Sequence, residues 1–235
     1  MNRWITVSVA GLVVLGVMIP FLSPRDAGVP LAFADVKKNV LRTKSVQYVL
    51  TRTDDDGRGP QTSQVSILGR YLQRTENGTD HVTIENARTG KYVSLDTKAK
   101  VCTVLQKQVT LYPDGSRTEN DVQPLPKVDF YAQIVNLPDK PQKRLPKKKI
   151  GDKTVVGFYF EKKVNGDTWQ RTYWVDPKSK LPVRIEVNWI GKGGGTSKWV
   201  MSDFIYNEIK DRKLFSTEPP KGYTVKEGKI FGVAP

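Results

Sequence analysis

Residues 168–190 read TWQRTYWVDPKSKLPVRIEVNWI. Two runs rich in β-branched and aromatic residues flank a tight turn at Asp176–Leu181, which is the pattern of an antiparallel hairpin. This hairpin decides the fold class because the same pattern recurs on both sides. TVVGFYFEKK before it and SKWVMSDFIYNEI after it also read as strands. Upstream, SVQYVLTRT (45–53) alternates, with Val46, Tyr48 and Leu50 on one face and Gln47, Val49 and Thr51 on the other. DDDGRGPQ breaks that strand. QVSILGRYLQRTE follows as a second one with a bulge at Gly69. Glu76–Thr79 is a turn around Asn-Gly. HVTIENA, KYVSLDT and KVCTVLQ then continue the meander through connections short enough for hairpins. Several strands hold apolar residues on both faces, as a curved sheet with a filled concave side requires.

Two segments change period. Pro30 suits a first helical turn. After it, LAFADVKKNVLRTK places Phe33, Val36, Val40 and Leu41 on one face of a helix. KVDFYAQIVNLPD (127–139) places Val128, Tyr131 and Val135, with Phe130, Ile134 and Leu137 beside them, on a second short helix that Pro138 ends. Helices this short do not stand alone and must lie on apolar surface. Residues 106–126 are polar and contain proline, so they are expected to loop over the surface. Glycine-rich GKGGGT (191–196) lacks phosphate-loop spacing and lies between strands, which makes it a hairpin tip.

The chain ahead of these elements has a different character. Residues 4–22, WITVSVAGLVVLGVMIPFL, carry no charged side chain. The run exceeds the h-region of a usual signal peptide and is just long enough to span a bilayer. Signal peptide and signal anchor both fit, and the length favours an anchor. Arg3 and the N-terminal amine precede the run, while Arg25 and Asp26 after it cancel, so the bulk is expected outside the cytoplasm. The expected organisation is residues 1–28 as anchor or signal peptide plus linker, and residues 29–235 as one β domain.

Charge and chemistry exclude more than they assign. The net charge of +14 suits an anionic membrane surface or an acidic polymer. Export argues against nucleic acid. Seven of the fourteen residues of Lys140–Lys153 are basic. Pro141 and Pro146 mark this segment as an exposed loop, and Lys147, Lys148 and Lys149 are candidates for a membrane-surface patch. His81 is the one histidine and Cys102 the one cysteine, so neither a His/Cys metal site nor an internal disulfide can form. Asp54–Gly57 opens like a calcium loop but lacks its later ligands. Glu161 and Glu186 read as surface strand residues. No nucleophile–base–orienter set assembles, so no enzyme activity and no cofactor are expected. The aromatic set Phe158, Tyr159, Phe160, Trp169, Tyr173, Trp174, Trp189 and Trp199 is the richer signal: a sheet core, or the lining of an apolar ligand site.

Six segments carry a resemblance. They are FADVKKNV (33–40), KSVQYVLT (44–51), DFYAQIVNLPD (129–139), KKIGDKTVVGFYFE (148–161), YWVDPKSKLPVRIEV (173–187) and MSDFIYNEIKDRKLFSTEPPKGY (201–223). In this order the chain resembles the outer-membrane lipoprotein-sorting superfamily, the LolA/LolB-like proteins, which include periplasmic regulators of envelope-stress sigma factors. The resemblance implies an unclosed, strongly curved antiparallel half-barrel with a helical lid or plug. It implies a non-enzymatic protein that holds a lipid or lipoprotein acyl chain between sheet and helices, on the periplasmic side of the inner membrane. The alternative is a tethered envelope sensor using the same groove for a protein or peptide partner. On this reading Phe33, Val36, Val40 and Leu41 form the lid, and Tyr48, Leu50, Phe158, Trp174 and Trp189 line the sheet side.

Overall fold

The computed structural model describes residues 31–106, 109–111, 117–119 and 130–229. Helix α1 (Phe33–Arg42) leads into six strands: β1 (Ser45–Asp54), β2 (Gln61–Leu68), β3 (Leu72–Asn77), β4 (His81–Asn86), β5 (Lys91–Asp96) and β6 (Val101–Gln106). A small ribbon, β7 (Val109–Leu111) with β8 (Arg117–Glu119), and helix α2 (Phe130–Val135) come next. Five long strands follow: β9 (Lys143–Ile150), β10 (Lys153–Val164), β11 (Asp167–Asp176), β12 (Leu181–Ile190) and β13 (Thr196–Tyr206). A 3₁₀ turn at Arg212–Phe215 and strand β14 (Thr224–Lys229) complete the described elements.

Twelve strands form one sheet in the order β14-β6-β5-β4-β3-β2-β1-β13-β12-β11-β10-β9. Both meanders keep neighbours in sequence adjacent in space. They are joined where β1 pairs antiparallel with β13, from Val46 opposite Tyr206 to Asp54 opposite Ser197. β14 and β9 are the two edges, so the sheet is unclosed. The fold is thus mainly β with few short helices. One pairing departs from the antiparallel expectation: β14 runs parallel to β6, Thr224 opposite Val101.

Local chemistry explains the elements. α1 begins with Asp35 in its first turn and ends with Arg42 in its last, each sign suited to the helix dipole. The Thr43 hydroxyl donates to Val40 O at 2.7 Å and closes the helix. β10 and β11 are joined by Asn165 and Gly166, at φ 53° and 92°. These are the two left-handed positions that a tight hairpin needs, and Asn-Gly fills them with least strain.

Three expectations need correction. Lys140–Lys153 is not a loop throughout: Lys143–Ile150 is edge strand β9, paired with β10. Pro146 is tolerated because Pro146 and Lys147 sit at a register shift, between the pairs Leu145–Gly157 and Lys148–Val155. Second, QVSILGRYLQRTE is two strands. Gly69, at φ 63°, turns the chain so that Leu68 pairs with Leu72. Third, part of 106–126 forms the β7–β8 ribbon. Residues 4–22 lie outside the described residues, as does Val128. Among the described residues no helix is long and apolar enough to cross a membrane.

Two apolar clusters lie on the sheet. The larger joins α1 and α2 to β1, β2 and β10–β13. The smaller gathers Val82, Ile84, Val93, Leu95 and Cys102 under Phe215. Cys102 is fully buried, and this desolvation raises its thiol pKa.

Candidate functional site

The register defines which side chains share the helix-bearing face, here called the inner face. On β11 the alternate positions Trp169, Arg171, Tyr173 and Val175 form one row. Phe160 of β10 and Val187 of β12 stand opposite Arg171, and Trp189 stands opposite Trp169. β13 adds Trp199 opposite Val187, and β1 adds Arg52 opposite Trp199 and Leu50 opposite Met201.

Helices fill one half of this face. The Phe33 ring lies 5.4 Å from Phe158, 4.6 Å from Phe160 and 5.4 Å from Tyr173. Val36 and Val40 are fully buried. Phe130 of α2 packs 5.9 Å from Tyr48 and 5.7 Å from Phe204. Polar contacts bind the helices to each other and to the sheet. Thr43 Oγ1 meets Tyr131 Oη at 3.1 Å, and the Tyr173 hydroxyl donates to Gln133 O at 3.2 Å. Lys37 Nζ donates to Leu137 O at 2.7 Å and pairs with Asp139 at 2.8 Å. Lys180 reaches Asp35 at 3.1 Å.

Tryptophans occupy the other half. Trp169 lies 5.4 Å from Trp199 and 6.5 Å from Trp189, ring centre to ring centre. Trp189 Nε1 donates to Asp167 at 3.2 Å, which fixes its indole. Pockets flank this floor. One, of about 520 Å³, lies between α2 and the ends of β10 and β11; Gln133, Leu137, Phe160, Trp169 and Arg171 are among its walls. The other, of about 350 Å³, is lined by Tyr48, Leu50, Arg52, Val65, Thr75 and Trp199 among others. The first mixes apolar surface with two buried polar atoms that lack a hydrogen-bond partner among the described residues, Arg171 Nε and Gln133 Oε1.

The sequence-derived candidates divide. Phe33, Val36, Val40, Tyr48 and Phe158 meet in the larger cluster, with Leu50 and Trp189 packed at its border. Leu41 lies on the exposed side of α1, 36% accessible. Trp174 is on the opposite face from Tyr173, since neighbours on a strand point apart. There it fills the space above Gly157, and Lys148 Nζ sits 3.6 Å above its ring. Lys147, Lys148 and Lys149 are all exposed on β9. Arg171 and Gln133 were missed. The signal for Arg171 was available, because counting by twos from Trp169 to Val175 puts a guanidinium into an otherwise apolar row.

Other titratable groups are engaged locally. Glu161 accepts from the Tyr159 hydroxyl at 2.7 Å and from Gln170 at 3.1 Å, bonds that lower its pKa. Burial, with that carboxylate's help, pushes Tyr159 up to about 12. Glu186 pairs with Arg184 at 2.6 Å. Asp54 is held below the usual carboxylate range chiefly by the Ser197 hydroxyl, with Arg52 beside it. His81 faces Ser94 at 3.4 Å. Among the described residues no three His, Cys, Asp or Glu side chains converge as metal ligands.

No protein-family model matches the sequence, and no curated protein matches it. Solved structures similar to the chain include an outer-membrane lipoprotein-sorting protein domain from Vibrio parahaemolyticus, at 11% identity over 78% of this chain and 95% of that one, TM-score 0.27. A LolA superfamily protein from Nitrosomonas europaea has 10% identity over 79% and 98%, TM-score 0.32. MucB, solved in complex with MucA(peri), has 9% identity over 78% and 58%, TM-score 0.36.

Proposed function

We propose that the protein is a non-enzymatic, exported binding protein that holds a lipid or lipoprotein acyl chain against the inner face of its sheet. The observation that carries this reading is the division of that face. Helices plug one half, while the other presents a tryptophan floor between pockets of about 520 and 350 Å³. Small-molecule sites typically occupy about 300–1,000 Å³ and are lined by apolar and aromatic groups with a few polar ones. An acyl chain gains by apolar burial at roughly 0.8 kcal/mol per CH₂, and needs no directional partner along its length.

The sequence supports a location. The uncharged run at residues 4–22 would hold the chain at the inner membrane with the sheet on the periplasmic side. The lysines of β9 would then meet anionic headgroups.

The test is mass spectrometry of organic extracts from the purified full chain. Stoichiometric co-purifying lipid, lost when Trp169 and Trp199 are both changed to Ala, supports acyl-chain binding. A lipid-free protein that instead pulls down one envelope protein through this face would replace it with a sensor role.

A further inference from the structure

We propose that the larger pocket recognises the anionic head of an amphiphile, with the Arg171 guanidinium as its charge partner. This rests on the acyl-chain reading above and adds a head-group class to it.

The argument starts from the cost of the residue. Arg171 stands on the inner face between Phe160 on one neighbouring strand and Val187 on the other. Its own row places Trp169 before it and Tyr173 after it. Arg171 is half-buried, and a charged group drawn out of water is costly in the part that is left unpaired. Its Nε is buried and has no hydrogen-bond partner among the described residues. The Trp169 ring, 5.4 Å away, offers a cation–π contact but no acceptor. Glu161, the acidic residue in the pocket's lining, is committed to Tyr159 and Gln170. What remains is a half-buried cation whose Nε lacks an acceptor, at a pocket of about 520 Å³.

The rest of the wall specifies the ligand. Leu137, Phe160, Val164 and Trp169 supply apolar surface beside the guanidinium. Gln133 contributes a second buried polar atom without a partner among the described residues, its Oε1. The side-chain amide can take a hydroxyl or, turned over, give an N–H to an oxyanion. Lys162 at the rim adds positive charge. Carboxylate and phosphate both match a guanidinium fork, and an alkyl tail matches the apolar wall. A neutral lipid would leave Arg171 unpaired on closing the pocket. A free inorganic anion would leave the apolar wall unused.

The experiment uses the purified full chain in an uncharged detergent, with three photoreactive probes sharing one C12 diazirine chain. One ends in a carboxylate, one in a phosphate monoester, and one in a neutral hydroxyl. Peptides labelled on irradiation are mapped for wild type, Arg171→Gln and Arg171→Lys. Circular dichroism and a melting curve confirm that each variant is folded. The expected result is labelling of 132–142 and 160–171 by an anionic probe at least about tenfold above the alcohol, as a hydrogen bond to a charged group implies. Arg171→Gln should remove that preference, and Arg171→Lys should keep part of it. Which anionic probe labels more strongly separates a fatty-acid head from a phospholipid-type head. If all three probes label the pocket equally and Arg171→Gln changes nothing, the head-group inference is overturned and acyl-chain binding stands. If no probe labels the inner face, both fall. Should Arg171→Gln fail to fold, the Lys variant and the wild-type probe ranking still decide between these outcomes.

Discussion

Single residues show where packing and charge are tightest. Gly157 lies beneath Trp174, and a Cβ there would come within 2.6 Å of the indole and 2.8 Å of Leu145 Cβ. Both neighbours are fixed in the sheet, so Gly157→Ala should destabilise by about 1–3 kcal/mol, the usual cost of overpacking. A thermal melt with near-ultraviolet circular dichroism would show a lower Tm and a changed tryptophan signal; an unchanged melt would mean that Trp174 swings aside freely. Asp54 tests electrostatics. Its folded pKa is lowered, chiefly by the Ser197 hydrogen bond. A carboxylate with a depressed folded pKa adds stability that is present above its unfolded pKa and lost as pH falls through the folded value. Asp54→Asn should therefore cost about 1 kcal/mol at neutral pH, and the gap to wild type should close below about pH 4. A gap that is constant from pH 7 to pH 3 would assign the loss to packing. The sequence held the position of Arg171 in its period-two count, but not that its Nε is left without an acceptor among the described residues. That depends on Phe160, Val187 and Gln133, which come from three other elements.

Elements differ in how readily sequence betrays them. α1 was legible from its apolar spacing, because Phe33, Val36 and Val40 turn to one side at 3.6 residues per turn. How deeply it sits was not legible. All three side chains belong to the larger cluster, with Val36 fully inaccessible. Val36→Asp would place a carboxylate in that cluster without a partner. The expected outcome is a loss of several kcal/mol, seen as cooperative unfolding of the strands as well as the helix in urea. Release of α1 alone, with the sheet melting as before, would mean that α1 is a lid that opens independently of the sheet. The Lys37 contacts to Leu137 O and Asp139 offer a gentler probe. Lys37→Ala should leave the melt within about 1 kcal/mol of wild type while hydrogen exchange in α1 speeds up. Strand β9 was not legible, since Pro146 and a run of lysines are loop signals. At a sheet edge the same residues are tolerated, and they keep other strands from adding on. β14 was hidden for a related reason: TVKEGK has little apolar pattern and gains its place only by pairing with β6, over 100 residues earlier.

At the scale of the whole molecule, the meanders were legible because each hairpin is local. The β1–β13 pairing that fuses them was not, since it joins segments at opposite ends of the domain. That joint determines which residues share the inner face, so a site made from β1, β11 and α2 had no local signature. The same architecture reshapes the question of the +14 charge. A loop would have presented Lys147, Lys148 and Lys149 as one patch. A strand sends neighbouring side chains to opposite faces, so Lys147 and Lys149 lie apart from Lys148, whose ammonium is seated over Trp174. If β9 meets an anionic bilayer, its two sides should contribute unequally. Each charge near such a surface is worth about 1 kcal/mol, so Lys147→Gln with Lys149→Gln should weaken vesicle binding about thirtyfold at low salt. Lys148→Gln should do less, because its charge is already shared with the indole. Co-sedimentation of residues 31–235 with phosphatidylserine vesicles, repeated at rising ionic strength, measures both. Equal effects from the two variants would mean that the strand lies flat on the surface, and no effect from either would leave its lysines to the task of guarding an open sheet edge.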